Sequence, residues 1–216
     1  MSEAVPGGLV GVLDYGAGNL GSVMNALARL GVPARFVRSP EELTGEGDSP
    51  FAKLLFPGDG HFGTTMASLE KSGYAGTIRS WIQADRPFLG ICIGLQVLFE
   101  SSEEAPPVNG TPVRGLGVIR GAVKRFPGRK VPQIGWNRTE ARKDSRLFRG
   151  LPPDSFFYYI HSYYVDCEED GAEAAVAEYY LRYCSAVERG NLAAVQFHPE
   201  KSGVPGLKLL ENWVRG

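Results

Sequence analysis

One cysteine in this chain stands between two glycines, in Pro87-Phe-Leu-Gly90-Ile-Cys92-Ile-Gly94-Leu-Gln96. A short apolar run precedes it and a helix-like segment follows. In a strand–nucleophile–helix turn the nucleophile sits at a sharp bend. Side chains two residues to either side would collide there, so glycine belongs at those positions. Gly90 and Gly94 supply them. Such a bend lifts the sulfur clear of the backbone, and the first amides of the following helix favour its reactive thiolate form. A buried structural cysteine in a tight turn has the same pattern, so Cys92 gains chemical meaning only beside a base.

Leu192-Ala-Ala-Val-Gln-Phe-His198-Pro-Glu200-Lys201-Ser202 offers that base. An apolar strand runs into His198, and Glu200 follows across a proline. The residue before proline is pushed toward extended backbone, where positions i and i+2 share a face. The spacing predicts Glu200 holding one ring nitrogen of His198 while the other stays free for the thiol, which is the arrangement of a catalytic triad. A surface turn capping a strand is the competing reading of His-Pro-Glu alone. Acyl transfer at sulfur also needs backbone N–H donors for a developing oxyanion. The loop Pro57-Gly58-Asp59-Gly60, at the end of Ala52-Lys-Leu-Leu-Phe56, can turn its amides inward because its glycines lack side chains. The Ile93 amide, next after the nucleophile, is the natural second donor. Pro-Gly is equally common in ordinary turns.

These residues need a scaffold of alternating strands and helices. Leu9–Asp14, Ala34–Val37, Lys53–Phe56 and Phe88–Ile91 read as strands. Asn19–Leu30, ended by Gly31, and Met66–Ala84 read as helices. The alternation predicts an α/β fold with a mostly parallel central sheet and helices on both faces. From about Gly115 the pattern changes to short β segments: Val118–Phe126, Phe156–Val165, Ala174–Tyr179 and Ser185–Arg189. These predict an antiparallel or mixed, β-rich extension before Ala193–Phe197 and a closing helix at Leu207–Val214. Ser101–Thr111 reads as a loop.

Composition bounds the function class. The chain has 216 residues, a net charge of -1, 22% charged residues and no basic run. One domain spanning 1–216 is the economical expectation, and neither nucleic acid nor a membrane surface is an expected partner. The first residues lack a positive segment leading into a long apolar stretch, and no 18-residue apolar run occurs, so a cytoplasmic protein is expected. The three cysteines, at 92, 167 and 184, show no metal spacing and fit reduced thiols. No metal or cofactor is expected.

Together the motifs resemble the triad-type (class I) glutamine amidotransferases, and within them the glutaminase subunits of imidazole glycerol phosphate synthase, from histidine biosynthesis. The elbow and the His-Pro-Glu are shared by the superfamily. Within the matching stretches Val131–Asn137, Tyr159–Tyr164 and Gln196–Ser202, the subunit is singled out by Gly135-Trp136-Asn137, by His161-Ser162-Tyr163-Tyr164 and by Pro199-Glu200-Lys201-Ser202. Asp14-Tyr-Gly-Ala-Gly-Asn19-Leu20 and Pro57-Gly-Asp-Gly60 with Met66 match as well. The resemblance implies a flavodoxin-like domain that hydrolyses L-glutamine to glutamate and ammonia, with Cys92 as nucleophile, His198 as base and Glu200 orienting it. It implies the Asp59 and Ile93 amides as oxyanion donors, and Gly58, Gln96, Ser162 and Tyr163 as glutamine contacts. It further implies a (β/α)₈-barrel cyclase as heterodimer partner, which takes the ammonia to make imidazole glycerol phosphate and an aminoimidazole carboxamide ribotide. Asn19, Trp136, Asn137, Tyr163 and Lys201 are the candidate docking residues.

Two positions depart from the family pattern. Asp59 stands where a small or apolar residue is usual; its carboxylate would repel an oxyanion, so it is expected to face solvent. Gln133 stands where histidine is frequent. His161 has no carboxylate beside it to orient it as Glu200 orients His198. The spacing Gly16-x-Gly18-x-x-Gly21 imitates a dinucleotide-binding turn, but no acidic residue ends the second strand, which runs out at Val37-Arg38. A cysteine hydrolase for another substrate, an amidotransferase subunit of another pathway and a non-catalytic module on the same fold are the rival readings. The intact Cys, His and Glu speak against the last.

Overall fold

The computed structural model describes residues 8–16, 20–44, 49–107 and 110–216. Its elements run β1 (Val10–Leu13), α1 (Leu20–Arg29), β2 (Ala34–Val37), α2 (Glu41–Thr44), β3 (Lys53–Phe56), α3 (Phe62–Ser72), α4 (Tyr74–Gln83), β4 (Phe88–Ile91), α5 (Ile93–Gln96) and β5 (Ser101–Ser102). They continue with β6 (Gly121–Arg125), β7 (Gln133–Ala141), β8 (Asp154–His161), β9 (Tyr163–Cys167), β10 (Glu173–Tyr179), β11 (Leu181–Arg189), β12 (Leu192–Val195), a 3₁₀ turn (Pro199–Lys201) and α6 (Gly203–Arg215).

All the described strands join one sheet, in the order β2-β1-β3-β4-β12-β11-β10-β7-β8, with β5, β6 and β9 branching from β11. The first five are parallel. From β12 to β8 every pairing is antiparallel. Strands β1, β3, β4 and β12 are buried at every position, as a strand covered on both faces must be. Their alternation sorts side chains into two cores. Leu54, Phe56 and Phe88 pack with Met66, Leu69, Ile78 and Trp81 of α3 and α4. Leu55, Leu89 and Ile91 pack with Val23 and Leu27 of α1 and with Leu209, Leu210 and Trp213 of α6.

Several elements differ from the sequence expectation, among them β5, where a loop is expected, and β7, which is not expected as a strand. Met66–Ala84 is not one helix. Gly73 adopts a left-handed φ of 82°, its amide caps Glu70, and α4 restarts beside α3; a left-handed glycine just past a last turn is the usual helix stop. Phe156–Val165 is not one strand. Ser162 ends β8, which pairs with β7, and its carbonyl takes the Phe126 amide as β9 turns to pair with β6. The helix after Cys92 is a single turn, so its summed dipole is small and the individual amides carry the effect on the sulfur.

Candidate active site

Cys92 sits where β4 ends, with φ 52° and ψ −103°, a conformation non-glycine residues rarely adopt. Both flanking glycines are forced by backbone. A Cβ on Gly90 would lie 2.4 Å from the Gly94 carbonyl oxygen, and one on Gly94 would lie 2.6 Å from the Phe56 oxygen. The bend is held by the Cys92 amide, which donates to the Val195 carbonyl of β12 at 2.8 Å. That bond ties the strand leading to Cys92 to the strand that leads to His198.

Three residues past β12, His198 is buried and its amide donates to the Tyr158 carbonyl of β8 at 2.9 Å. Its Nδ1 stands 2.8 Å from Glu200 Oε1, and both side chains are inaccessible. His198 itself is extended, as expected before proline, but the chain then closes into the 3₁₀ turn. The turn, rather than continued extended backbone, brings Glu200 beneath the ring. Ser202 staples this turn to the sheet: its hydroxyl donates to the His198 carbonyl at 2.6 Å and accepts from the Tyr158 amide at 2.9 Å. The sequence motif contained Ser202, but only the fold reveals that it anchors the turn carrying His198.

Burial alone would lower the His198 pKa. The facing Cys92 sulfur, and then Glu200, more than offset that and raise it to about 10. The Nε2 makes no aligned hydrogen bond, so its link to Cys92 is electrostatic contact awaiting a better-placed partner. At neutral pH the site favours an imidazolium beside the sulfur. The second histidine behaves oppositely. His161 is buried, its pKa pushed down to about 4 by desolvation, with Nδ1 bonded to the Tyr163 carbonyl and Nε2 facing the Tyr183 hydroxyl. It is a neutral member of the core. Gln133 joins the same group by accepting from the Tyr183 hydroxyl.

The Pro57–Gly60 loop meets the elbow directly. A Cβ on Gly58 would stand 1.8 Å from the Ile91 oxygen and 2.7 Å from the Ile93 nitrogen. The Ile93 amide opens α5 and has no acceptor among the described residues. Asp59 is exposed, as expected of its carboxylate. Its amide faces the buried Tyr15 hydroxyl closely enough to offset part of burial's upward push on that phenol, though the two are not aligned for a hydrogen bond. Tyr15 packs edge-on against Phe56 and was not among the sequence candidates.

Of the glutamine contacts, Gln96 is buried behind Cys92 and its Nε2 donates both to the Tyr163 carbonyl and to Gln196 Oε1, each at 3.1 Å. Both its N–H groups are used, which leaves its carbonyl oxygen to receive a donor such as an ammonium group. Ser162 and Tyr163 form the β8–β9 junction beside it. Among the described docking candidates, Trp136 and Asn137 lie on opposite faces of β7. Trp136 is 57% exposed and shares the outer face of the β7–β8 hairpin with Ile134, Phe156 and Ile160. Asn137 points to the other face and bonds the Glu178 carbonyl. Lys201 lies in the 3₁₀ turn, half-buried. Asn19 lies outside the described residues, as does Gly18 of the glycine triplet.

Comparison with known proteins agrees with this geometry. The family model "Glutamine amidotransferase class-I" matches residues 11–215. The imidazole glycerol phosphate synthase subunit HisH of Deinococcus radiodurans is 48% identical over 208 residues, covering 94% of this chain and 92% of that protein. The subunit of the same name from Desulfitobacterium hafniense is 44% identical over 206 residues, covering 95% and 93%. Among solved structures, a glutamine amidotransferase superposes with a TM-score of 0.72 at 24% identity, covering 95% of this chain and 99% of the other. One from Thermotoga maritima gives 0.66 at 17%, covering 96% and 81%. At those identities the structures speak for the fold alone. No described helix is long and apolar enough to cross a membrane. The chain belongs to the class-I glutamine amidotransferase family and, within it, to the family of imidazole glycerol phosphate synthase subunit HisH.

Proposed function

We propose that this chain is the glutaminase subunit of imidazole glycerol phosphate synthase, acting as one domain in the cytoplasm. The observation that carries this reading is the meeting, at the ends of adjacent parallel strands, of Cys92 at a strained elbow and a histidine held by Glu200 at 2.8 Å. The Cys92 thiolate attacks the side-chain amide carbon of L-glutamine. Amides of the Asp59 loop and Ile93 stabilise the oxyanion, and the His198 imidazolium protonates the departing ammonia. The neutral imidazole then activates water, which hydrolyses the thioester to glutamate and frees the thiolate. Gly58, Gln96, Ser162 and Tyr163 hold the glutamine, with the Gln96 carbonyl oxygen accepting from its ammonium.

Ammonia released into water is diluted and protonated, so the site gains from docking against the enzyme that consumes it. The partner proposed is a (β/α)₈-barrel cyclase bound as a heterodimer. Trp136 and the exposed apolar stripe beside it support this, because β8 carries Phe156 and Ile160 of that stripe, and its Tyr158 carbonyl and amide bond His198 and Ser202 at the catalytic turn. Lys201, in that turn, is the residue proposed to pair with a carboxylate across the interface. Glutamate release is expected to be slow alone and to rise about 5- to 150-fold when the cyclase and its nucleotide ligand are added, the usual range for coupled sites. Trp136→Ala is expected to weaken the complex about 30-fold or more, as loss of an aromatic hot spot does. Equal activity with and without the cyclase, and no complex on a sizing column, would refute the subunit assignment and leave the glutaminase chemistry standing.

A further inference from the structure

One fully buried side chain at the site has no part in the mechanism so far. Gln196 follows β12, and its backbone amide is fixed to the Ser185 carbonyl at 2.8 Å. Its carboxamide lies between two site residues: Oε1 is 3.1 Å from Gln96 Nε2, and Nε2 is 3.6 Å from Cys92 Sγ. The surroundings settle which end is which. The Tyr163 carbonyl can only accept, so the Gln96 atom facing it is the nitrogen. The Gln196 atom facing that same nitrogen is then the oxygen, and its own N–H is left pointing at the sulfur. A hydrogen bond given to a thiolate stabilises the charged form, and a thiol gains much less from it.

We propose that Gln196 is a further catalytic group of this site, whose side-chain N–H holds the Cys92 sulfur as thiolate while its oxygen locks Gln96 with the Gln96 carbonyl turned to substrate. This deepens the glutaminase reading and rests on Cys92 being its nucleophile. The same bond serves both halves of the reaction. It keeps the attacking sulfur ionised, and it receives the sulfur again when water expels it from the thioester.

Two variants separate the donor from the lock. Gln196→Glu keeps an oxygen for Gln96 and replaces the N–H by a carboxylate oxygen; Gln196→Met keeps the length and removes both. Alkylation of Cys92 by iodoacetamide, followed by mass spectrometry across a pH series, reads the thiolate without needing glutamine. Both variants are expected to lower the alkylation rate at neutral pH by about ten- to a hundredfold, the worth of one hydrogen bond to a charged group, and to move the profile to higher pH. The KM for glutamine is expected to rise more in Gln196→Met than in Gln196→Glu. Profiles that coincide with the unmodified protein's in both variants would overturn the proposal. Should a variant fail to fold, the unmodified protein supplies the test: the Gln196 side-chain amide resonance shifts when Cys92 is alkylated, and a resonance that does not move overturns it equally. A shifted profile in a chain that releases no glutamate would defeat the glutaminase reading while upholding the Gln196–sulfur bond.

Discussion

Cys92→Ala is expected to lower glutamate release by about four to six orders of magnitude, the scale on which a covalent triad fails when its nucleophile is removed. His198→Ala should fall to a similar level, and the double variant no further, because the two act as a unit and neither half has a separate pathway. A coupled assay for glutamate reads all three. The same change should be visible without substrate. Cys92 is the main upward influence on the His198 pKa, opposing burial, so in Cys92→Ala the imidazole should titrate well below the value near 10. Proton–nitrogen correlation spectra of the ring follow that directly. Near-normal glutamate release from Cys92→Ala would end the triad reading.

Gly58→Ala is expected to be nearly as damaging, although it adds one methyl group. That carbon would overlap the Ile91 carbonyl and crowd the Ile93 nitrogen. Both obstacles are backbone of the elbow, so no side-chain rotation relieves the clash; the loop must back away. The oxyanion donors on its two sides then lose their common focus, and loss of one such donor typically costs about 10²–10³ in kcat. Overpacking of this kind also costs about 1–3 kcal/mol in stability, measurable by urea unfolding. Gly76→Ala is the control, since it lies inside α4 and its added carbon meets nothing within 4 Å. A Gly58→Ala protein with unchanged kcat would show that this loop does not shape the oxyanion site.

The geometry of the elbow and its facing loop was legible in the sequence where a residue type is forced by backbone. Gly90, Gly94 and Gly58 all press on main-chain atoms, and such positions leave a local signature. The strands buried on both faces were equally plain, because apolar runs this short, with Gly or Pro close by, suit a doubly covered strand better than a helix. What stayed hidden depends on contacts between distant segments. Ser202 matters because of Tyr158, and Gln196 because of Cys92 and Gln96; no local pattern marks them. The pairing of His198 with Glu200 was anticipated from extended backbone, and a 3₁₀ turn achieves it instead. The break at Gly73 was overlooked because apolar periodicity continues across it. β7 was not assigned as a strand, since its alternating exposed Ile134 and Trp136 suit a face left open to solvent.

The pairing of β4 with β12 sets the order in which this protein becomes active. Leu192 lies opposite Phe88, so hydrogen-bonded neighbours are about a hundred residues apart in the chain. Closing so long a loop is paid in entropy before any contact rewards it, and sheets of such non-local pairings fold slowly. On the ribosome, β12 emerges after every other strand. Until it inserts, the elbow lacks the Val195 carbonyl that anchors its bend, and Cys92 lacks His198 beside it. The nascent chain thus carries no armed nucleophile through its unfolded period. In refolding from denaturant, rapid alkylation of Cys92 should appear only with the slowest phase; its appearance in an earlier phase would show that the elbow assembles without its last neighbour.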